Sequence, residues 1–473
     1  MSVARPARPR PAPPARPTRH RVAAGLVVVC LAVAAALHAT YRDALVTLLP
    51  STDMHELHVD FDTFRLSAVQ LLAGGDIYTT PAKLHNLNPP LLTVLLAPTA
   101  LLDAVPAYRL FAALTLLMVL GAVLAVAREL RLSHGVTAAV ALTVLASSPL
   151  HGTLVLGQIY GILLVGLVAG WIAERHGHPL VAAACYGATV ALKPSLAPLL
   201  LLPVVRRRWR PAAAGGGAAV AASLLGVVVA GLASGPEWLR IGFAEPVPDS
   251  VDNASLPGLA VRAGLPSAVG TALGLAVLAG TLTVLGRRRA RVDPGGAAPW
   301  AVLAAGLLVS PIAWHNYLML LWPGVLVLLV PDTAPAATRR GAPYRPGRAA
   351  VLLAVTVIPV SWNAMWPPEG GWASLGRSLY CAVLLTYWWV LLGSVSGPGA
   401  SSEPPASYRP ADGDRPAAPP SAPSDPPTAA GRSESSTTTG RSVTGESPRG
   451  ASTTAAGAPA APGVGSSSGG SSS

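Results

Sequence analysis

Long apolar blocks, broken by short polar or proline-rich connectors, set the pattern of this chain. The first block covers residues 22–40. About 19 residues at ~1.5 Å rise each are enough to cross a bilayer. Further blocks follow at 88–102, 107–127, 134–149, 158–174, 179–204, 212–234, 266–286, 298–313, 316–331, 349–364 and 375–395. The pattern predicts about twelve spans and an all-α, multi-pass transmembrane bundle. Blocks 88–102 and 134–149 are short for a full crossing, and either fits a re-entrant segment. The first block is longer than a signal peptide's apolar core, and no small-residue cleavage site follows it, so it reads as an uncleaved first helix.

Polar segments divide the rest. Residues 1–21 are Pro, Arg and Ala and read as a disordered cytoplasmic arm. Residues 396–473 are Ser, Pro, Gly, Ala and Thr, which cannot offset the entropy of ordering, and read as a disordered cytoplasmic tail. The membrane-embedded domain is therefore 22–395. It carries two long external loops, 42–87 and 235–265. Within the first, 64–72 reads as a short amphipathic helix ended by Gly74 and Gly75. Two shorter external connectors lie near Trp314-His315-Asn316 and at 366–372. No internal repeat is evident.

Composition agrees with the pattern. Hydrophobic residues make up 51% and charged residues 12% of the 473, and the mean hydropathy is +0.49. A soluble domain carries about 25% charged residues, so a soluble enzyme, a collagen and a wholly disordered chain are excluded. The net charge is +12. Arginine supplies nearly all of it, because the only lysines are Lys83 and Lys193. The arginines cluster at the ends of apolar blocks, as the positive-inside rule expects, rather than forming a nucleic-acid patch. No nucleic-acid partner is expected. Counting spans puts Arg206–Arg208, Arg287–Arg289 and the 339–348 run on one cytoplasmic side, with both termini, in the plasma membrane. Arg128 and Arg131 come out external in that count. Cys30, Cys185 and Cys381 show neither pairing nor metal-ligand spacing.

Polar residues in or near a membrane are costly and are functional candidates by default. In the first loop, Asp60-Phe61-Asp62 offers a carboxylate that apolar surroundings could turn into a general base, against the reading of a solvated acidic loop. Arg65 lies about one helical turn on and could pair with either aspartate. Lys193, followed by Pro194, either pairs with a phosphate or carboxylate or snorkels to the cytoplasmic surface. His315 and Asn316 either contact substrate or form an interfacial turn. Gly157-Gln158 and Asn88-Pro89-Pro90 are caps or packing devices if not site residues. Asn253-Ala254-Ser255 has the form of a glycosylation acceptor, or of a turn before a short helix. Gly-rich phosphate loops, HExxH, GxSxG and CxxC patterns are absent, so no nucleotide or metal cofactor is expected.

In order, the motifs VDFDTF, GGDIY, NPPLLTVLLAP, GQIYGILL, ALKPSLAPLLLLP with RRRW, NASLPGL with Arg262, and SPIAWHNY resemble glycosyltransferase family 87 over roughly residues 55–330. These are GT-C-type membrane enzymes that use polyprenyl-phosphate sugars. The resemblance implies a hexosyltransferase, most often a mannosyltransferase, with an external active site. The expected partners are a polyprenyl-phosphate sugar donor, a glycolipid or lipoglycan acceptor, and membrane lipids. It also implies an acidic catalytic residue in the first external loop, here Asp60, with Asp62 its competitor. The substrate-binding set it suggests is Asp62, Arg65, Tyr78, Asn88, Gln158, Lys193, Asn253, Ser255, Arg262, His315 and Asn316. The chain departs from the family pattern at Gly161, Ala254 and Asn316, where Asn, Gln and a second His are usual. The resemblance also implies inversion, with Arg262, His315 and Lys193 stabilising the departing phosphate. A transporter or flippase for a lipid-linked solute is the alternative, since it too explains many spans and an intramembrane lysine. A non-catalytic envelope scaffold is a third reading.

Overall fold

The computed structural model describes residues 58–289, 292–330, 347–349, 351–352 and 373–395. The apolar blocks at 22–40 and 349–364, the connector at 366–372, both tails and most of the 339–348 run lie wholly or mainly outside them. Among the described residues the chain is helical, with no strand beyond an isolated bridge between Asn253 and Trp314.

Among the described residues, four helices are long and apolar enough to cross a membrane: Ala104–Glu129 (α3), Trp209–Ala230 (α9), Ser267–Arg287 (α12) and Gly376–Val395 within Ala373–Val395 (α14). A fifth crossing is counted if His134–Leu145 (α4) and Ser148–Leu156 (α5), bent by 50°, form one broken span. The expectation of about twelve spans is corrected to four or five among these residues. The remaining apolar blocks are present as helices, but interrupted ones. Block 88–102 becomes Pro90–Leu96 (α2) and a 3-10 turn, Ala97–Leu101. Block 158–174 is Tyr160–Arg175 (α6), only 16 residues. Block 179–204 breaks at Lys193, where Pro194 withholds an amide hydrogen. Its arms are Pro179–Leu192 (α7), then Pro194–Leu200 and Leu201–Val205 (α8). Hydropathy counts apolar residues but does not see these breaks.

The breaks make the helices zigzag between two ends. α2 does not cross: Asn88 at its start bonds Lys193, and Leu102 beyond it accepts from Arg65 of Val59–Leu72 (α1). α3 then runs to the far end, where Glu129 pairs with Arg175 at 2.8 Å and His176 at 2.9 Å. The neighbouring Glu174 pairs with Arg208. Leu285 and Gly286 pack on Leu202 and Val205, which brings Arg287 to the same end. This corrects the placement of Arg128 and Arg131 on the side opposite the other arginine runs. They lie with Arg206–Arg208 and Arg287. The count slipped because α2 turns back while the two arms of 179–205 each run between the two ends, two errors that cancel by Arg206.

At the centre, Ala298–Val309 (α13) is buried on all sides, as an all-round apolar helix must be. Small residues set the closest contacts. A Cβ on Gly187 would collide with the Gly215 carbonyl, and one on Gly226 with the Leu91 backbone. Such glycines let helix backbones meet where lipid supplies no hydrophobic driving force. The second long loop contains Ser234–Ala244 (α10) and Leu256–Arg262 (α11).

Candidate active site

The amphipathic helix expected in the first loop is α1. It begins before Asp60 and ends at Gly74, whose φ of +72° suits glycine. Asp60 and Asp62 lie two residues apart, about 200° around the helix, so they face opposite ways. Asp60 keeps partial exposure while protein crowds its carboxyl group. Burial pushes its pKa up to about 6, against a downward pull from a Gln158 hydrogen bond and the charge of Lys193. Asp62 is 9% exposed and faces away from that group.

Gln158 is placed by backbone geometry. α5 ends at Gly157 in the left-handed region, φ +75°. Gly157 N–H donates to Leu154 O at 3.2 Å and Gln158 N–H to Thr153 O at 2.8 Å, the paired bonds of a Schellman ending. Any side chain at Gly157 would run into Phe61, directly after Asp60. Gly157 therefore does two jobs: it turns the chain and lets α5 touch α1, which sets the Gln158 amide against Asp60. Gly161 packs closely on Thr115, whose Cγ2, carbonyl oxygen and Cα would stand 3.1–3.3 Å from a Cβ there.

Lys193 emerges from the break after α7, with extended backbone. Its Nζ donates to Asn88 Oδ1 at 3.0 Å and lies 5.9 Å from the centre of the Tyr317 ring. Lys193 is thus at the Asp60 end, and the snorkelling alternative is corrected. Asn88 is held in turn. Its N–H (3.0 Å) and Nδ2 (3.3 Å) donate to Asn86 Oδ1, and its carbonyl accepts from the Tyr78 hydroxyl at 3.0 Å. Asn86 Nδ2 reaches Ser67 of α1 at 3.0 Å and Thr93 of α2 at 3.3 Å. A polar strap therefore ties the helix bearing Asp60 to the lysine. Tyr78 reaches it because Asp76 closes a local turn, accepting from Tyr78 N–H at 3.0 Å and from the Thr79 hydroxyl at 2.8 Å.

Other expected residues lie elsewhere. Arg65 is not the expected partner of the aspartates: its Nη2 donates to Leu102 O at 2.7 Å. Asn253 is fully buried and every polar side-chain atom is used. Its Oδ1 accepts from Ser255 N–H (3.2 Å) and Ala313 N–H (3.0 Å), and its Nδ2 donates to Pro248 O (3.3 Å) and Pro311 O (3.0 Å). Ser255 caps α11, accepting from Gly258 N–H at 3.1 Å. The NAS triplet is thus a clamp onto the 311–313 turn, in place of a glycosylation acceptor.

That clamp presents His315 and Asn316, which are 2% and 0% exposed, too buried for an interfacial turn. His315 packs on Gly152 and 5.0 Å from the Tyr380 ring. Asn316 has no hydrogen-bond partner for either amide atom among the described residues. Arg262 donates to Ser250 O at 2.7 Å, while its Nε and Nη2 are buried without partners among the described residues. Its charged neighbours are Asp249, Asp252 and Arg377. Burial raises Asp252 to about 6, with Arg262 pulling the other way.

Asp60, Gln158, Lys193, Asn88 and Tyr78 are therefore brought together; Arg65 and the Asn253–Ser255 clamp are not part of that group. Sequence reasoning missed Asn86, and also Tyr160 and Tyr317, whose rings pack at 4.6 Å beside Asp60 and Lys193. Tyr160 and Tyr317 sit inside the quoted motifs GQIYGILL and SPIAWHNY, while Asn86 lies two residues before NPPLLTVLLAP.

Residues 86–311 match the sequence profile described as glycosyltransferase family 87. A polyprenol-phosphate-mannose-dependent alpha-(1-2)-phosphatidylinositol mannoside mannosyltransferase of Mycolicibacterium smegmatis is 28% identical over 63% of this chain and 74% of its own length. Its Mycobacterium tuberculosis counterpart is also 28% identical, over 57% of this chain and 70% of its own. An alpha-(1->3)-arabinofuranosyltransferase of Mycolicibacterium smegmatis is 33% identical over 31% of this chain and 36% of its own. Among solved structures, apo ArnT from Cupriavidus metallidurans has 17% identity and a TM-score of 0.37, covering 79% of this chain and 78% of that one.

Proposed function

We propose that this chain, whose residues 86–311 match the glycosyltransferase family 87 profile, moves a hexose, mannose by preference, from a polyprenyl-phosphate donor to a glycolipid or lipoglycan acceptor. The observation that carries the proposal is Asp60: a crowded carboxyl group raised to about 6, bonded by Gln158, with the Lys193 cation in electrostatic reach. A carboxylate of raised basicity that is still mostly ionised near neutral pH suits general base catalysis.

Asp60 takes the proton of an acceptor hydroxyl. The hydroxyl oxygen forms a bond to the anomeric carbon from the face opposite the phosphate. The carbon–oxygen bond to phosphate breaks, and its electron pair leaves with the phosphate. The configuration inverts, so a β-linked donor gives an α-linked product. A phosphate needs no strong acid to depart, so one base is enough. Lys193, anchored by Asn88, stabilises the charge that grows on the leaving group. The arginine-rich end supports a cytoplasmic reading of that end, and with it an external, plasma-membrane setting for Asp60.

The test uses membranes containing the protein, a glycolipid acceptor and radiolabelled polyprenyl-phosphomannose, with a polyprenyl-phosphoarabinose arm in parallel. Labelled glycolipid that disappears with Asp60→Asn and persists with Asp62→Asn supports the proposal. Transfer of pentose but not hexose reassigns the sugar. Movement of donor across the membrane without covalent transfer replaces the enzyme with the flippase reading.

A further inference from the structure

A second polar constellation lies at the arginine-rich end, the opposite end of α6 and α7 from Gln158 and Lys193. A crevice there has apolar walls that include Pro179, Leu199 and Pro203. Its polar lining is Glu174, Tyr186, Arg206 and Arg208. Glu174 bonds Arg208 directly, while Arg206 Nη1 stands 3.8 Å from the same carboxylate oxygen. Among the described residues, that buried Nη1 makes no hydrogen bond, and neither does the buried hydroxyl of Tyr186. A buried donor without a partner is costly, more so when charged. Glu174 and Asp293 are the carboxylates that face this pair of guanidinium groups. Arg207 and Arg210 flank it in sequence and add to the positive field.

We infer that this crevice binds the phosphodiester of an anionic phospholipid. Its negative charge suits a cluster in which Arg206, Arg207, Arg208 and Arg210 outnumber the carboxylates Glu174 and Asp293. Phosphate oxygens can accept from Arg206 Nη1 and the Tyr186 hydroxyl together, while Glu174 keeps Arg208 in place. The walls continue into exposed apolar side chains, Leu180, Val181, Leu201 and Val204. Acyl chains would cover these, and free inorganic phosphate would leave them bare. Basic pockets between helices at a cytoplasmic boundary are the usual setting for such headgroups. The inference does not depend on the sugar-transfer reading, because none of its residues belongs to the Asp60 group.

The test is lipid retention by the full-length protein. Purified protein is delipidated, offered phosphatidylglycerol or phosphatidylcholine in mixed micelles, and weighed by native mass spectrometry. The wild type should retain phosphatidylglycerol at least ~10-fold over phosphatidylcholine. Arg206→Gln should bring it close to the phosphatidylcholine level, and Tyr186→Phe should lower it ~3-fold, as expected for a charged and a neutral hydrogen bond. Arg240→Gln removes an equal charge from an exposed pair with Glu237 outside the crevice and should retain wild-type binding. Equal retention of the two lipids, or retention unchanged in a folded Arg206→Gln protein, overturns the inference. Displacement of phosphatidylglycerol by millimolar inorganic phosphate overturns the lipid assignment in favour of a free phosphate.

Discussion

Gly157→Ala is a sharp test of how the site is assembled, because its effect can be worked out and compared with a matched control. At φ +75° an alanine carries a left-handed cost of about 1–2 kcal/mol. Its Cβ would also collide with Phe61 Cβ and stand 3.3 Å from the Phe61 Cα and N. Backbone atoms cannot swing aside as a flexible side chain can, so overpacking adds about 1–3 kcal/mol. Gly177 has nearly the same torsion, φ +79°, but nothing within 4 Å of its would-be Cβ. Gly177→Ala carries the torsional cost alone. Thermal unfolding of the two variants in one detergent should therefore rank Gly157→Ala below Gly177→Ala by about 1–3 kcal/mol. Relief of the clash requires α5 to move off α1, which separates Gln158 from Asp60 by an appreciable fraction of ~1 Å. Displacements of that size cost up to ~100-fold in rate. Glycosyl transfer in membranes should fall at least ~10-fold for Gly157→Ala and stay near wild type for Gly177→Ala. Equal stabilities, or full transfer activity in Gly157→Ala, would refute the claim that the α5–α1 contact sets the site.

Three further outcomes follow from the same geometry. The rate should rise with pH through about 6 as Asp60 ionises. Gln158→Leu, by removing a bond that favours the anion, should shift that limb of the kcat/KM profile to higher pH; a shift to lower pH would contradict the assigned role. Asn88→Leu and Lys193→Met should each lower transfer, and the double variant should be no worse than the poorer single one, since both act through one 3.0 Å bond; additive losses would sink the strap as a unit. Asn253→Ala should destabilise the protein by about 2–4 kcal/mol in thermal unfolding, more than Ser255→Ala at about 1 kcal/mol, because Asn253 alone bridges two segments through four hydrogen bonds.

The order of motifs made the family resemblance and the acidic stretch of the first loop legible, because both depend on short contiguous runs. Asp60 could be favoured over Asp62 only through resemblance; their opposite facing depends on a helix that starts earlier than its apolar pattern suggests. The strap was half visible. Asn88 and Tyr78 stand in motifs, but Asn86 acts through Ser67 and Thr93, contacts between elements that no local pattern encodes. The span count failed for a related reason. Lys193-Pro194 was singled out as chemistry, yet the same dipeptide breaks a helix and changes the topology. Arg262 remained a plausible phosphate ligand by type, and the fold puts it with Ser250 and Asp252.

The doubling back of 179–205 at Lys193 bears on how a long-tailed donor would be delivered. α7 has 14 residues, so its rise is ~21 Å, against ~30 Å for a hydrocarbon layer. With the arginine end at one boundary, the ammonium group comes to rest several ångströms short of the other. A donor could meet it by lowering a small charged head group into a hydrated recess. Raising an isoprenoid tail into water instead would forfeit ~0.8 kcal/mol for every methylene exposed. Under the proposed function, a shortened pair of helices would bring the cation down to the level at which such a donor's head group lies.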